Sequence, residues 1–155
     1  EVYNFLNKNR LKPKELAGLI YVAGPGSYTG MRISEGFAQI FALENIPLYS
    51  FYQYQVPELA GTTVGCWVSK AFKGEYFVYS WAKDNKNEKM LLDEKSFTSY
   101  LKNQSIVYGL EEEYISTQDL LKKESKRCFS YIVSQKMKEN LYYYRALEDE
   151  FKQQK

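Results

Sequence analysis

The sequence predicts a mixed α/β protein, and three features carry that prediction. A short apolar run, GLIYVA (18–23), leads through a glycine-rich turn into an amphipathic run, and a second β-rich stretch, IPLYSF (46–51), follows. Strand, helix and strand of these lengths make a βαβ unit, a right-handed crossover between parallel strands. Further on, TVGCWVSK (63–70) and EYFVYSWA (75–82) flank a turn at Phe72–Gly74 and read as a hairpin. With 155 residues and 45% apolar content, the chain can bury a real core as one domain or two small lobes.

Each element has its own warrant. In EVYNFLNKNRL, Val2, Phe5, Leu6 and Leu11 mark the apolar face of a helix already under way at Glu1, so the expectation is that a further segment precedes it. KPKEL is a short turn, with Pro13 suited to a first helical position. The turn proper is GPGSYTG (24–30). MRISEGFAQIFALEN (31–45) is the strongest helix, and Ile33, Phe37, Ile40 and Phe41 recur at helical spacing, predicting that this stripe faces the core. YQYQVPELA (52–60) is a helix or an irregular turn. A boundary near Gly61 separates a first unit, 1–61, from a smaller second one, 62–155. There, KDNKNEK (83–89) reads as a polar loop, FTSYLKN as a short helix and SIVYGL (105–110) as a strand. Residues 117–140 read as mostly helix, and LYYYRALEDEFKQQK as a partly extended tail with frayed last residues.

Composition narrows the chemistry. The chain has no histidine, which removes the commonest metal ligand and general base and every Ser–His or Cys–His pair. Its two cysteines, Cys66 and Cys128, lie far apart in apolar settings and read as buried free thiols of a cytoplasmic protein. No metal and no cofactor is expected. There is no run of about 20 apolar residues, so no membrane span is predicted. The 15 tyrosines suit half-buried strand positions or an interface. A net charge of +2 is small for a protein that binds nucleic acid alone. Lys122, Lys123, Lys126 and Arg127 form a basic cluster, but the interspersed Glu124 favours a solvated helix face over a stand-alone nucleic-acid site.

The spacing Gly24-x-Gly26-x-x-x-Gly30 is one residue too long for a dinucleotide fingerprint, and the turn lacks the lysine of a Walker loop. What remains is a strand–turn–helix with permissive backbone, a cap from Ser27 or Thr29, and N–H groups that can receive an anion. Gly26, Ser27, Thr29, Gly30 and Arg32 are therefore weak nucleotide or anion candidates. Arg32 in the first helical turn is disfavoured by the dipole by roughly 0.3–1 kcal/mol. Either it pairs with Glu35 at i+3, or it anchors a partner's carboxylate or phosphate. A second stripe of the same helix, Gly30, Ser34, Ala38 and Ala42, is made of small residues. Such a face admits another helix closely. With Glu35 and Gln39 beside it, it is a candidate partner interface, or else a seat for a helix of the same chain.

These residues resemble a known family. GPGSYTGMRISEGFAQIFALENIPLYSF is similar to the TsaB (YeaZ) pattern of a strand, G-P-G-S-[FY]-T-G-x-R, a helix with small residues, and I-P-[LV]. KAFKGEYFVYSWAK resembles the family's D-A-R-x-G-E-V-Y hairpin, with Lys70 in place of Asp and Phe72 in place of Arg. NLYYYRA resembles its closing P-x-Y-x-R segment, with Leu141 in place of Pro. The family's opening A-I-D-T-S strand has no counterpart here. The resemblance implies the two-lobed ASKHA fold of actin, sugar kinases and Hsp70 chaperones, with a degenerate second lobe and a first lobe incomplete at its N-terminus. It implies a non-catalytic subunit that pairs with a TsaD-like paralogue and a TsaE-like ATPase. That complex makes threonylcarbamoyladenosine (t6A) next to the tRNA anticodon, so tRNA is met only through the complex. A homodimer through the small-residue face is the alternative pairing. The competing reading is an ATP-hydrolysing or phosphotransferring enzyme of the actin-like superfamily.

Overall fold

The structure, a computed structural model, describes residues 2–83 and 87–144. A short helix α1 (Val2–Lys8) leads through a 3-10 turn at Pro13–Glu15 into β1 (Leu19–Gly24), α2 (Tyr28–Leu43) and β2 (Leu48–Tyr52). β1 and β2 are parallel, with Leu19 opposite Leu48 and Val22 opposite Phe51. The predicted βαβ unit is thus present. Of the apolar positions expected to form one face of α1, Leu6 is buried while Phe5, and Leu11 beyond it, are exposed; the side chain of Val2 lies outside the described set.

The burial of α2 departs from the predicted one. Met31, Ala38 and Phe41 are buried and Ser34 is half-buried, so the inward face takes Ser34 and Ala38 from the small-residue stripe, whose Gly30 and Ala42 are exposed. Ile33, Phe37 and Ile40 are 56%, 42% and 58% exposed, and only Phe41 of the predicted core stripe is inside. The cause is steric. A helix laid over two adjacent strands comes closest where its side chains are short, and Met31 and Phe41 at either end fill the space that remains.

The second sheet has five strands in the order β5-β4-β3-β6-β7. It follows a 3-10 turn at Gln53–Gln55 and the one-turn helix α3 (Val56–Leu59). β3 (Gly65–Lys70) and β4 (Tyr76–Trp81) form the predicted hairpin, turning through a 3-10 segment at Phe72–Gly74. β5 (Glu88–Leu92) adds antiparallel to β4, so the end of the predicted polar loop is strand; residues 84–86 lie outside the described set. Asp93 caps α4 (Glu94–Leu101) by accepting from the Ser96 N–H at 2.7 Å. β6 (Val107–Gly109) and β7 (Ile115–Ser116) complete the sheet in parallel with β3. The long helix predicted over 117–140 is two helices, α5 (Thr117–Lys123) and α6 (Ser125–Ser134), and it ends early because Lys136 takes a left-handed φ of 50°.

Strand alternation divides the core. Trp67, Phe77, Tyr79 and Trp81 point to one face of the second sheet, where they meet Tyr54 and Tyr108. Cys66, Val68 and Val78 point to the other, under Phe97 of α4. A separate cluster joins Phe51 and Val56 to Ile132 of α6. After α6 the chain returns to the first sheet. The Ser50 N–H donates to Met137 O at 3.0 Å, and the Tyr142 N–H donates to Ala23 O at 2.9 Å. The rest of the predicted tail, 145–155, lies outside the described set.

Candidate functional site

Two regions gather the residues singled out above: the start of α2 with the cleft beside it, and the outer face of α2. The turn is shaped by its neighbours. Gly24 has φ of +125°, and a Cβ there would collide with the Tyr142 carbonyl, so only glycine fits where the tail crosses β1. Ser27 is the cap, accepting from the Gly30 N–H at 3.2 Å, and the helix begins at Tyr28. Thr29, the other candidate cap, is exposed within the first turn.

Arg32 adopts the pairing arrangement. Its guanidinium donates to Glu35 at 2.9 Å, lies 5.3 Å from the Tyr28 ring centroid, and donates through Nε to the Tyr28 hydroxyl at 3.4 Å. The Tyr28 and then the Glu35 contacts raise its pKa further above the ordinary value. The dipole penalty is thereby offset locally.

Pro25, Gly26, Ser27 and Tyr28 form one wall of a cleft of about 530 Å³. The opposite wall comes from the second sheet and the tail: Ser69, Lys70 and Phe72, with Glu111, Tyr143 and Tyr144. Of the anion candidates, Gly26 and Ser27 line this cleft, whereas Thr29, Gly30 and Arg32 do not. Glu111 receives the Lys70 N–H on one oxygen at 3.2 Å. Its other oxygen and the Tyr143 hydroxyl are enclosed without a hydrogen-bond partner. A carboxylate in the wall opposes phosphate binding by like-charge repulsion. Sequence reasoning missed Glu111, Tyr143 and Tyr144. The signal for the last two was the Tyr run itself. In an extended segment Tyr142 and Tyr144 share a side, and both meet Phe77, while Tyr143 points the other way to Tyr28, 5.7 Å between centroids.

The outer face of α2 is apolar. Ile33, Phe37 and Ile40 share it, and Leu43 continues it at 83% exposed. Of the candidate partner residues, Gln39 and Ala42 are exposed, Ser34 and Glu35 are half-buried, and Ala38, at 4% exposed, is covered by the chain's own packing. Among the described residues, no group of three His, Cys, Asp or Glu side chains is placed to hold a metal ion. No helix among them is long and apolar enough to cross a membrane.

Comparison with solved structures places this architecture. YeaZ from Pseudomonas aeruginosa superposes with a TM-score of 0.57 over 91% of this chain and 81% of its own, at 15% sequence identity. The chain has the fold of YeaZ. A second structure, described as an uncharacterized protein with similarity to peptidase YEAZ from the same organism, superposes with a TM-score of 0.53 over the same shares, at 14% identity. No protein-family profile and no curated protein matches the sequence. The fold of YeaZ agrees with the resemblance read from GPGSYTGMR, and the YeaZ likeness extends over the second sheet, where that resemblance is loosest.

Proposed function

We propose that the chain is a TsaB-type, non-catalytic scaffold subunit of a cytoplasmic tRNA-modifying assembly. It docks through the outer face of α2 on a TsaD-like paralogue, and a TsaE-like ATPase joins near the start of that helix. The carrying observation is the exposed stripe Ile33/Phe37/Ile40/Leu43, on the helix that follows GPGSYTGMR in a YeaZ fold. Apolar side chains lined up on one helix face, outside the core, suit a partner helix better than water. In this reading the two sheets belong to two lobes of an ASKHA fold, with the cleft between them. The histidine-free composition supports a subunit whose partner supplies the chemistry.

The cleft supports a second reading, a nucleotide-binding enzyme, because Gly26 and Ser27 face Lys70 across it. The enclosed Glu111 oxygen speaks for the first. Light scattering of the chain, alone and mixed with the TsaD-like paralogue from the same source, tests the proposal. A stoichiometric complex that displaces any self-dimer is expected. A monomer that ignores the paralogue, yet binds and hydrolyses ATP, would overturn it in favour of the enzyme.

A further inference from the structure

Lys89 lies on β5, the edge strand of the second sheet, and its side chain is exposed. Its ammonium does not sit in water alone. It lies over three tyrosine rings, 4.8 Å from the centroid of Tyr142, 4.9 Å from Tyr54 and 5.4 Å from Tyr52. All three are within the distance at which a ring face attracts a cation. No described carboxylate is within ion-pair distance of Lys89, so the rings provide its main counterpart.

The rings come from two parts of the chain. Tyr52 ends β2, Tyr54 belongs to the following 3-10 turn, and Tyr142 lies in the returning tail. They brace one another, Tyr52 stacked on Tyr54 at 5.1 Å and edge-on to Tyr142 at 5.7 Å. The cluster is therefore held in place without Lys89. Glu139 stands behind it, accepting from Gln55 Nε2 at 3.0 Å, and its charge reaches the Tyr52 phenol. Burial and this carboxylate keep the Tyr52 phenol protonated. Tyr54 is buried, Tyr52 and Tyr142 are half-buried, and the exposed Lys89 covers the side of the cluster that it reaches from solvent.

We propose that Tyr52, Tyr54 and Tyr142 form a cation-binding cage for an alkylammonium group, occupied in the free protein by the chain's own Lys89. Three braced ring faces with a carboxylate behind them are the arrangement that recognises an ammonium by its charge and its greasy rim. Lys89, on a flexible four-carbon stem, acts as a tethered competitor. The ligand class is an ammonium, from the lysine of a partner protein or from a small quaternary amine. This inference is independent of the scaffold reading.

The test uses Lys89→Ala and two probes, n-butylammonium and tetramethylammonium, each followed by proton NMR. Ring currents move protons held over an aromatic face upfield. With Lys89→Ala, a saturable upfield shift of at least one probe is expected. Wild type should bind about tenfold more weakly, because its own ammonium competes, and Lys89→Ala/Tyr142→Leu should lose the shift. Preference for n-butylammonium supports the cage with a lysine as its ligand, and preference for tetramethylammonium supports it with a quaternary amine. A folded Lys89→Ala protein that shifts neither probe overturns the proposal. Wild type gives an independent reading should the variant not fold: the Lys89 side-chain methylene protons next to nitrogen must themselves be shifted upfield, and random-coil values there would also overturn it.

Discussion

Replacing Ile40 by Asp separates a docking face from a core face. Fully burying a Leu, Ile or Phe side chain is worth roughly 1.5–3 kcal/mol relative to leaving it in water. Ile40 is 58% exposed, so about 1–2 kcal/mol remains for a partner to gain from it. The four stripe residues together offer about 4–7 kcal/mol, near the lower end of what association costs. On the scaffold reading, the stripe must therefore be the centre of a larger contact. An Asp at its middle removes the Ile40 share and leaves a charge to be desolvated, a combined loss of at least about 3 kcal/mol, or more than about 100-fold in affinity. Stability should move by less than about 0.5 kcal/mol, because the position is outside the core. Ala38→Leu should do the opposite. It overpacks a buried site and should cost about 1–3 kcal/mol in urea unfolding. Affinity for the TsaD-like paralogue, by titration calorimetry, and urea midpoints for both variants decide the matter. Ile40→Asp that binds within about threefold of wild type, with an unchanged urea midpoint, would refute the docking assignment.

Three further outcomes follow from the packing. Thr117, buried beneath the second sheet, accepts from the Trp67 indole N–H at 3.1 Å and donates to Gly109 O at 2.7 Å. Thr117→Val strands both partners, so about 2–4 kcal/mol should be lost in urea unfolding at unchanged slope, while Thr117→Ser should lose under about 1 kcal/mol. Gly24→Ala forces an unfavourable φ and a collision with the tail, and its thermal midpoint should fall by more than that of Gly36→Ala, where a Cβ meets open space. Burial pushes the Cys66 thiol up to about 11, so the folded state holds its proton where the unfolded state has released it. That contribution is intact below about pH 8.5 and is lost as pH rises toward 11. A stability profile flat between pH 9 and 11 would contradict it; in native protein at pH 8, a thiol reagent should label Cys66 far more slowly than in urea.

Local chemistry made much of this legible. The strand–turn–helix–strand order needs only a β-branched run, a cap and a helical period, all within residues 18–51. The hairpin needs only two alternating runs and a glycine turn. Ser27 could be named as a capping residue because capping is a contact three residues long. Other features depend on what lies across the fold. The two stripes of α2 share the helical period, so periodicity could not say which is buried; the strands beneath took Ser34 and Ala38 from one and Phe41 from the other. β5 begins inside a polar run, and pairing with β4 makes it strand. Glu111 faces the GPGSY turn, and Lys89 meets its three tyrosines, only because distant segments converge. The sequence by itself determined the class of fold, the position of the turn and the absence of histidine chemistry, because these are written in neighbouring residues or in composition. Tertiary structure decided which helix face is left exposed and which charges meet which rings, because burial is a competition among surfaces far apart in the chain.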